Sequence, residues 1–170
     1  MTNKYGLLGK ALSHSYSAKI HHLLGNSDYV QLAVNPSELD EILKSREFLG
    51  MNVTIPYKQT VIPYLDSLSE SAKKIGSVNT ILQKDGKLIG ENTDYFGFLY
   101  CAKRAGIDFS GKKVLILGSG GTSLTAQAVT DNEGAREICV VSREGEINYD
   151  TLDRVSDYEI IINTTPVGMY

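Results

Sequence analysis

Four polar clusters in this chain carry residue types that could do chemistry. In Ser13-His14-Ser15-Tyr16-Ser17, Ser15 and Ser17 put two hydroxyls at the start of a helical pattern. Such a pair makes a small anion site that a carboxylate would fit, although one serine could simply cap the helix; His14 reads as structural rather than as a base. In Asn52-Val53-Thr54-Ile55-Pro56-Tyr57-Lys58, Lys58 follows a proline turn, where it could be a general acid–base or an ordinary surface cation. In Gly76-Ser77-Val78-Asn79-Thr80, the Asn79 amide could read a substrate hydroxyl or satisfy a turn. In Glu91-Asn92-Thr93-Asp94, Thr93 or Asp94 could cap the next helix. Each cluster lies at the end of an expected strand, where open α/β sheets bind ligands.

A fifth element, Gly118-Ser119-Gly120-Gly121-Thr122-Ser123, follows an apolar run and opens a helical pattern. Glycines there permit a tight turn and let backbone N–H groups approach a pyrophosphate at a helix N-terminus. Its form is G-x-G-x-x-S, and strand, loop, helix and second strand follow at the spacing of a dinucleotide-binding unit. The second strand ends Val141-Ser142-Arg143, a hydroxyl and a cation where NAD-binding folds usually place an acid. That favours NADP over NAD, unless Arg143, which adjoins Glu144, is a solvated loop residue. His14, His21, His22, Cys101 and Cys139 have no metal-ligand spacing, so no metal site is expected.

The elements that would position these groups alternate as in a parallel α/β sheet. Strands are expected at Tyr5–Gly9, Tyr29–Val34 and Gly50–Val53, with helices at Ser17–Leu24 and Pro36–Ser45. Lys58–Leu68 and Ser69–Ile75 read as helical or partly helical, with Pro63 bending or ending the first. Val78–Gln83 and Lys87–Asn92 flank an Asp-Gly hairpin signal. A helix from Asp94 to Ala105 stops at Gly106, near which a domain boundary is expected. Strands at Lys113–Leu117, Glu137–Ser142 and Glu159–Asn163 follow, with a helix running to about Glu133.

Composition narrows the function classes. With 42% apolar and 22% charged residues and a net charge of -3, the chain reads as a soluble globular protein without the basic footprint of a nucleic-acid binder. No apolar run is long enough to span a bilayer, and no signal-peptide pattern opens the chain. A cytoplasmic protein with two buried free thiols, Cys101 and Cys139, is the expectation.

Taken together, Ser15-Tyr16-Ser17, the Asn52–Lys58 and Gly76–Thr80 segments, Asn92-Thr93-Asp94, the glycine loop and Asn163-Thr164-Thr165-Pro166-Val167-Gly168-Met169 resemble the shikimate dehydrogenase family along the whole chain. The resemblance implies an open α/β substrate-binding domain (1–106), followed by the first half of a Rossmann-like NADP-binding domain (107–170, incomplete). It implies that Ser15 and Ser17 hold the substrate carboxylate. Thr54, Asn79 and Asp94 would contact its hydroxyls, and Lys58, beside Asp94, would be the catalytic acid–base. Gly118, Ser119, Gly120, Gly121 and Thr122 would cradle the pyrophosphate of NADP, Ser142 and Arg143 would face its 2′-phosphate, and Thr164 and Thr165 would lie near the cofactor. The implied reaction is reversible reduction of 3-dehydroshikimate to shikimate; a quinate/shikimate dehydrogenase relative and a non-catalytic shikimate-binding fragment are the alternatives. The sequence departs from the family pattern in two places. Leu124-Thr125 follow Ser123 where a basic residue is usual, and the chain stops at Tyr170, before the second half of the cofactor fold. Weak turnover and self-association, as a homodimer or a larger species, are therefore expected.

Overall fold

The computed structural model describes residues 5–13 and 15–168, and its contacts divide the chain into two units, Met1–Thr93 and Asp94–Tyr170. His14 and Met169 lie outside the described residues.

In the first unit, β1 (Tyr5–Gly9), β2 (Val30–Ala33), β3 (Gly50–Val53), β4 (Ser67–Leu68), β5 (Thr80–Lys84) and β6 (Lys87–Glu91) form one sheet in the order β2-β1-β3-β5-β6-β4. The first three run parallel, β5 returns antiparallel on β3 and β6 on β5, and β4 lies parallel to β6. The sheet is thus mixed, because the Asp85-Gly86 turn, with both residues at positive φ (51° and 74°), folds β5 and β6 into a tight hairpin.

Helices α1 (Ser17–Leu23), α2 (Pro36–Ser45) and α3 (Glu70–Ile75) complete the unit. Asn35 and Glu38 form a capping box at the start of α2, with Pro36 inside its first turn, where a missing N–H costs nothing. Leu39 and Leu43 of α2 join Leu8, Phe48, Met51, Val53, Tyr57 and Ile81 in the core. At the other end of α2, Arg46 takes the left-handed conformation and reaches the Gly86 carbonyl and the Asp66 carboxylate. Asp66 also accepts the Leu88 N–H at 2.7 Å. That N–H, and then Arg46, hold the Asp66 carboxyl below the usual carboxylate range.

Lys58–Leu68 is only partly helical. It makes turns, a 3-10 helix at Ile62–Tyr64 and then β4. Pro63 sits in that 3-10 turn and offers no N–H to an α-helix. Past it, Asp66 N–H and Ser69 N–H bond Leu88 and Gly90 carbonyls at 2.9 Å, drawing the segment onto the sheet edge. Ser69 then caps α3 by accepting the Ala72 N–H.

The second unit holds α4 (Asp94–Arg104), β7 (Lys113–Leu117), α5 (Gly121–Asn132), β8 (Glu137–Val141) and β9 (Ile160–Asn163). Its sheet is parallel in the order β8-β7-β9. Tyr95, Phe98, Leu99 and Ala102 of α4 pack with Phe109, Val114, Ile116, Ala126 and Val129. The contact boundary therefore falls at Thr93/Asp94 rather than near Gly106, because the apolar face of α4 belongs to this core. Cys101, on the same helix, is exposed rather than buried, and Cys139 is half-buried; it is the neighbouring Ala102 that faces inward. Among the described residues, no helix is long and apolar enough to cross a membrane.

Tyr57 ties the loop after β3 to the end of β2. Its ring is buried, and its hydroxyl donates to the Val34 carbonyl. Tyr57→Phe keeps the ring but deprives that carbonyl of its partner, which should lower unfolding stability by about 1–3 kcal/mol. Urea unfolding measures this, and an unchanged midpoint would remove the hydroxyl from the account.

Candidate functional site

In the first unit, strand register gathers the polar clusters at one edge of the sheet. Asn52 pairs with Thr80, and Thr80 with Glu91, so the end of β3, the start of β5 and the end of β6 stand side by side. Two bonds extend this ladder past its ends: Val53 N–H donates to the Asn79 carbonyl at 2.7 Å, and Val78 N–H to the Lys58 carbonyl at 2.8 Å. Thr54, Lys58, Asn79 and Thr93 are thereby brought to one rim.

Thr54 is held by its own N–H, which donates to Leu8 at 2.9 Å. Its methyl comes so close to β1 that a Cβ on Gly9 would sit 2.6 Å from it and 2.7 Å from Leu12. Only glycine fits there. Lys58 is half-buried and follows a cis Ile55-Pro56 bond.

Ser15 follows β1 in the chain. The cap position of α1 belongs to Tyr16, whose side chain makes no cap; Ser15 Oγ instead accepts the Ser17 N–H at 3.2 Å. The Ser15 carbonyl accepts from Gln31 on β2. Both serines are half-buried.

Asn79 is buried and its amide is heavily bonded. Oδ1 accepts the Thr93 N–H at 3.0 Å and the Thr80 hydroxyl at 3.1 Å, and Nδ2 donates to Thr93 Oγ1 at 2.9 Å. The bonds continue outward, from Asn52 Nδ2 to Thr80 Oγ1 at 3.3 Å and from the Tyr29 hydroxyl to Asn52 Oδ1 at 2.7 Å. The Tyr29 ring stacks on His21, centroids 3.7 Å apart. Tyr29 and Thr80 were not singled out from sequence. Thr80 lay inside a motif, but nothing local marks Tyr29. Asp94, the first residue of α4, belongs to the second unit.

In the second unit three parallel strands end together. Leu117 pairs with Val141 and with Asn163, so Gly118, Ser142 and Thr164 are the next residues on adjacent strands. Gly118 N–H donates to Val141 at 2.8 Å, and Thr164 N–H to Leu117 at 2.9 Å. Gly118 has φ of +107°, and a Cβ there would lie 2.7 Å from Thr164 Oγ1. Thr165 bonds the Asn163 side chain through both its N–H and its hydroxyl.

Gly120 caps α5 with no side-chain cap, and no atom lies within 4 Å of where its Cβ would be. Gly121 and the exposed Thr122 begin the helix, and Ser119 is exposed beside them. A helix start with open space and uncapped N–H groups suits a pyrophosphate. Ser123 fills the third glycine position because that site is fully buried but tolerates a small hydroxyl, which accepts from Gln127 at 3.1 Å. Arg143 is exposed and makes no hydrogen bond or ion pair among the described residues.

Burial pushes the Tyr29 phenol from 10.0 up to about 12. Its proton is held more tightly in the folded state than in the unfolded chain. Its contribution to stability is therefore complete below the ordinary tyrosine range and lost as pH rises from about 10 toward about 12. Tyr158 is pushed up as well, by burial and by its bond to Glu137, so a difference measurement is needed. Denaturant unfolding across this window should show a smaller alkaline loss in Tyr29→Phe than in the parent; identical slopes would refute the assignment.

Comparison with known proteins adds a second line of observation. Residues 7–81 match the family model described as the shikimate dehydrogenase substrate binding domain. A shikimate dehydrogenase (NADP(+)) from Clostridium beijerinckii is 40% identical over 185 aligned positions, covering 98% of this chain and 68% of the relative. Among solved structures, shikimate dehydrogenase 1 from Peptoclostridium difficile superposes with a TM-score of 0.89 at 36% identity, over 99% of this chain and 69% of that one. Shikimate 5-dehydrogenase from Thermus thermophilus, solved in complex with shikimate, gives a TM-score of 0.82 at 31% identity, over 98% of this chain and 70% of that one.

Proposed function

This chain belongs to the shikimate dehydrogenase family, and we propose that it takes part in the NADP-dependent, reversible reduction of 3-dehydroshikimate to shikimate. The observation that carries the reading is the shared rim of the first unit, where strand register gathers Thr54, Lys58, Asn79 and Thr93. Ser15 and Ser17 hold the substrate carboxylate, and Thr54, Asn79 and Asp94 contact its hydroxyls. Lys58 donates a proton to the oxygen of the carbonyl being reduced and takes it back in the reverse direction, with Asp94 as its partner in that transfer.

In the second unit, Gly118 to Thr122 hold the pyrophosphate of NADP, with Ser142 and Arg143 at the 2′-phosphate and Thr164 and Thr165 beside the dinucleotide. When bound, NADPH supplies the hydride that reduces the substrate carbon. Gly118 N–H is taken by Val141, so the anion's donors begin further along the loop, at the uncapped start of α5.

Lys58→Ala should abolish shikimate oxidation by NADP while shikimate still binds. Calorimetric titration beside a reduction-coupled absorbance assay separates the two. Turnover within a few-fold of the parent would end the acid–base assignment, and a parent that binds no shikimate would end the functional reading.

Arg143→Ala should narrow the preference for NADP over NAD, because a lost charge-assisted bond to phosphate is worth roughly 1.5–3 kcal/mol, while NAD has no such group. Comparing affinities for the two dinucleotides measures this, and an unchanged ratio would place Arg143 away from the 2′-phosphate.

A further inference from the structure

The bonds around Asn79 have only one self-consistent direction. The Thr93 N–H is a backbone donor, so the Asn79 atom facing it at 3.0 Å must be the amide oxygen. With Oδ1 fixed there, the Thr80 hydroxyl 3.1 Å away must donate to it. Having given up its proton, Thr80 Oγ1 must accept from Asn52, so Asn52 turns its NH2 inward. The Asn52 oxygen then faces Tyr29 and must accept the phenol proton. One backbone N–H thus sets the direction of every bond out to Tyr29. On Asn79, Nδ2 spends one N–H on Thr93 Oγ1, and its other N–H has no partner among the described residues.

We propose that Tyr29, Asn52 and Thr80 are positioning residues that lock the Asn79 amide with its NH2 available, so that Asn79 recognises a substrate hydroxyl as a donor to that oxygen and never as an acceptor. The inference rests on the reading that Asn79 faces the substrate. The chain of bonds joins residues far apart in sequence, from the segment before β2 through β3 to the start of β5. It is largely withdrawn from water: Tyr29 is 7% and Asn79 8% exposed. In such surroundings a reversed amide would set donor against donor at the Thr93 N–H, which cannot turn. The orientation is therefore set before any ligand arrives.

The test uses the full chain with its asparagine side chains labelled with nitrogen-15, alongside calorimetric titration with shikimate. The parent should show one Asn79 NH2 pair, slowed in exchange with water. Thr80→Val removes the donor at nearly constant shape; it should shift that pair, speed its exchange and weaken shikimate binding by about three- to ten-fold. Thr80→Ser should restore both. In an Asn79→Ala background, Thr80→Val should have no further effect on affinity, because Thr80 acts through Asn79. Tyr29→Phe reads the chain from its far end and should move the same NH2 pair by a smaller amount, which keeps the proposal testable should Thr80→Val fail to fold. An Asn79 pair unmoved in both variants, or a Thr80→Val effect of equal size without Asn79, would overturn the proposal. A parent that binds no shikimate would instead overturn the functional reading, and the amide resonances would still decide the positioning.

Discussion

The pairing of β3 with β5 governs the first unit. Three residues of each strand are in register, and the ladder runs on through Val53 to Asn79 and Val78 to Lys58. A slip of one residue would turn Asn52 and Thr80 over to the opposite face and send Met51 and Ile81 out of the core. The apolar residues that fill the interior therefore also fix the polar rim. Tyr57 reinforces this from the other side: buried just before Lys58, its ring ties the loop's position to the same core.

The second unit meets a similar demand by different means. Its strands are parallel, so their C-terminal ends share one side without any hairpin. Position there depends on crowding: Thr164 bonds the Leu117 carbonyl through both its N–H and its hydroxyl, at 2.9 and 2.6 Å. That leaves room beneath it only for Gly118. The small buried residues of α5, Ser123, Thr125, Ala126 and Thr130, keep the helix close to the sheet.

What was legible in the sequence was local. Pro36 announced α2, Asp85-Gly86 the hairpin, and the apolar run before Gly118 the strand, loop and helix that followed. Each rests on residues a few positions apart. The two-residue β4 was not legible, since the bonds that draw it onto the sheet, from Asp66 and Ser69, go to Leu88 and Gly90, far along the sequence. Gly106 marks the end of α4, but the side to which that helix packs was not legible, because its partners, Val114 and Ile116 among them, come later in the chain. The motif positions at the candidate site were readable. The support behind them was not, because Tyr29 bonds Asn52 and Asn52 bonds Thr80 across separations of 23 and 28 residues.

The contact between Gly9 and Thr54 has a consequence for how such a chain can drift over generations. No side chain at position 9 is accommodated while Thr54 holds its place, since the first added carbon already falls 2.6 Å from the threonine methyl. Nor can the residue at position 54 grow toward β1, because the vacancy at Gly9 is already occupied by that methyl. The steps are therefore ordered: a smaller residue at position 54 is sterically free, whereas a side chain at position 9 could be gained only after both the threonine methyl and the Leu12 side chain, 2.7 Å from the same point, had given way.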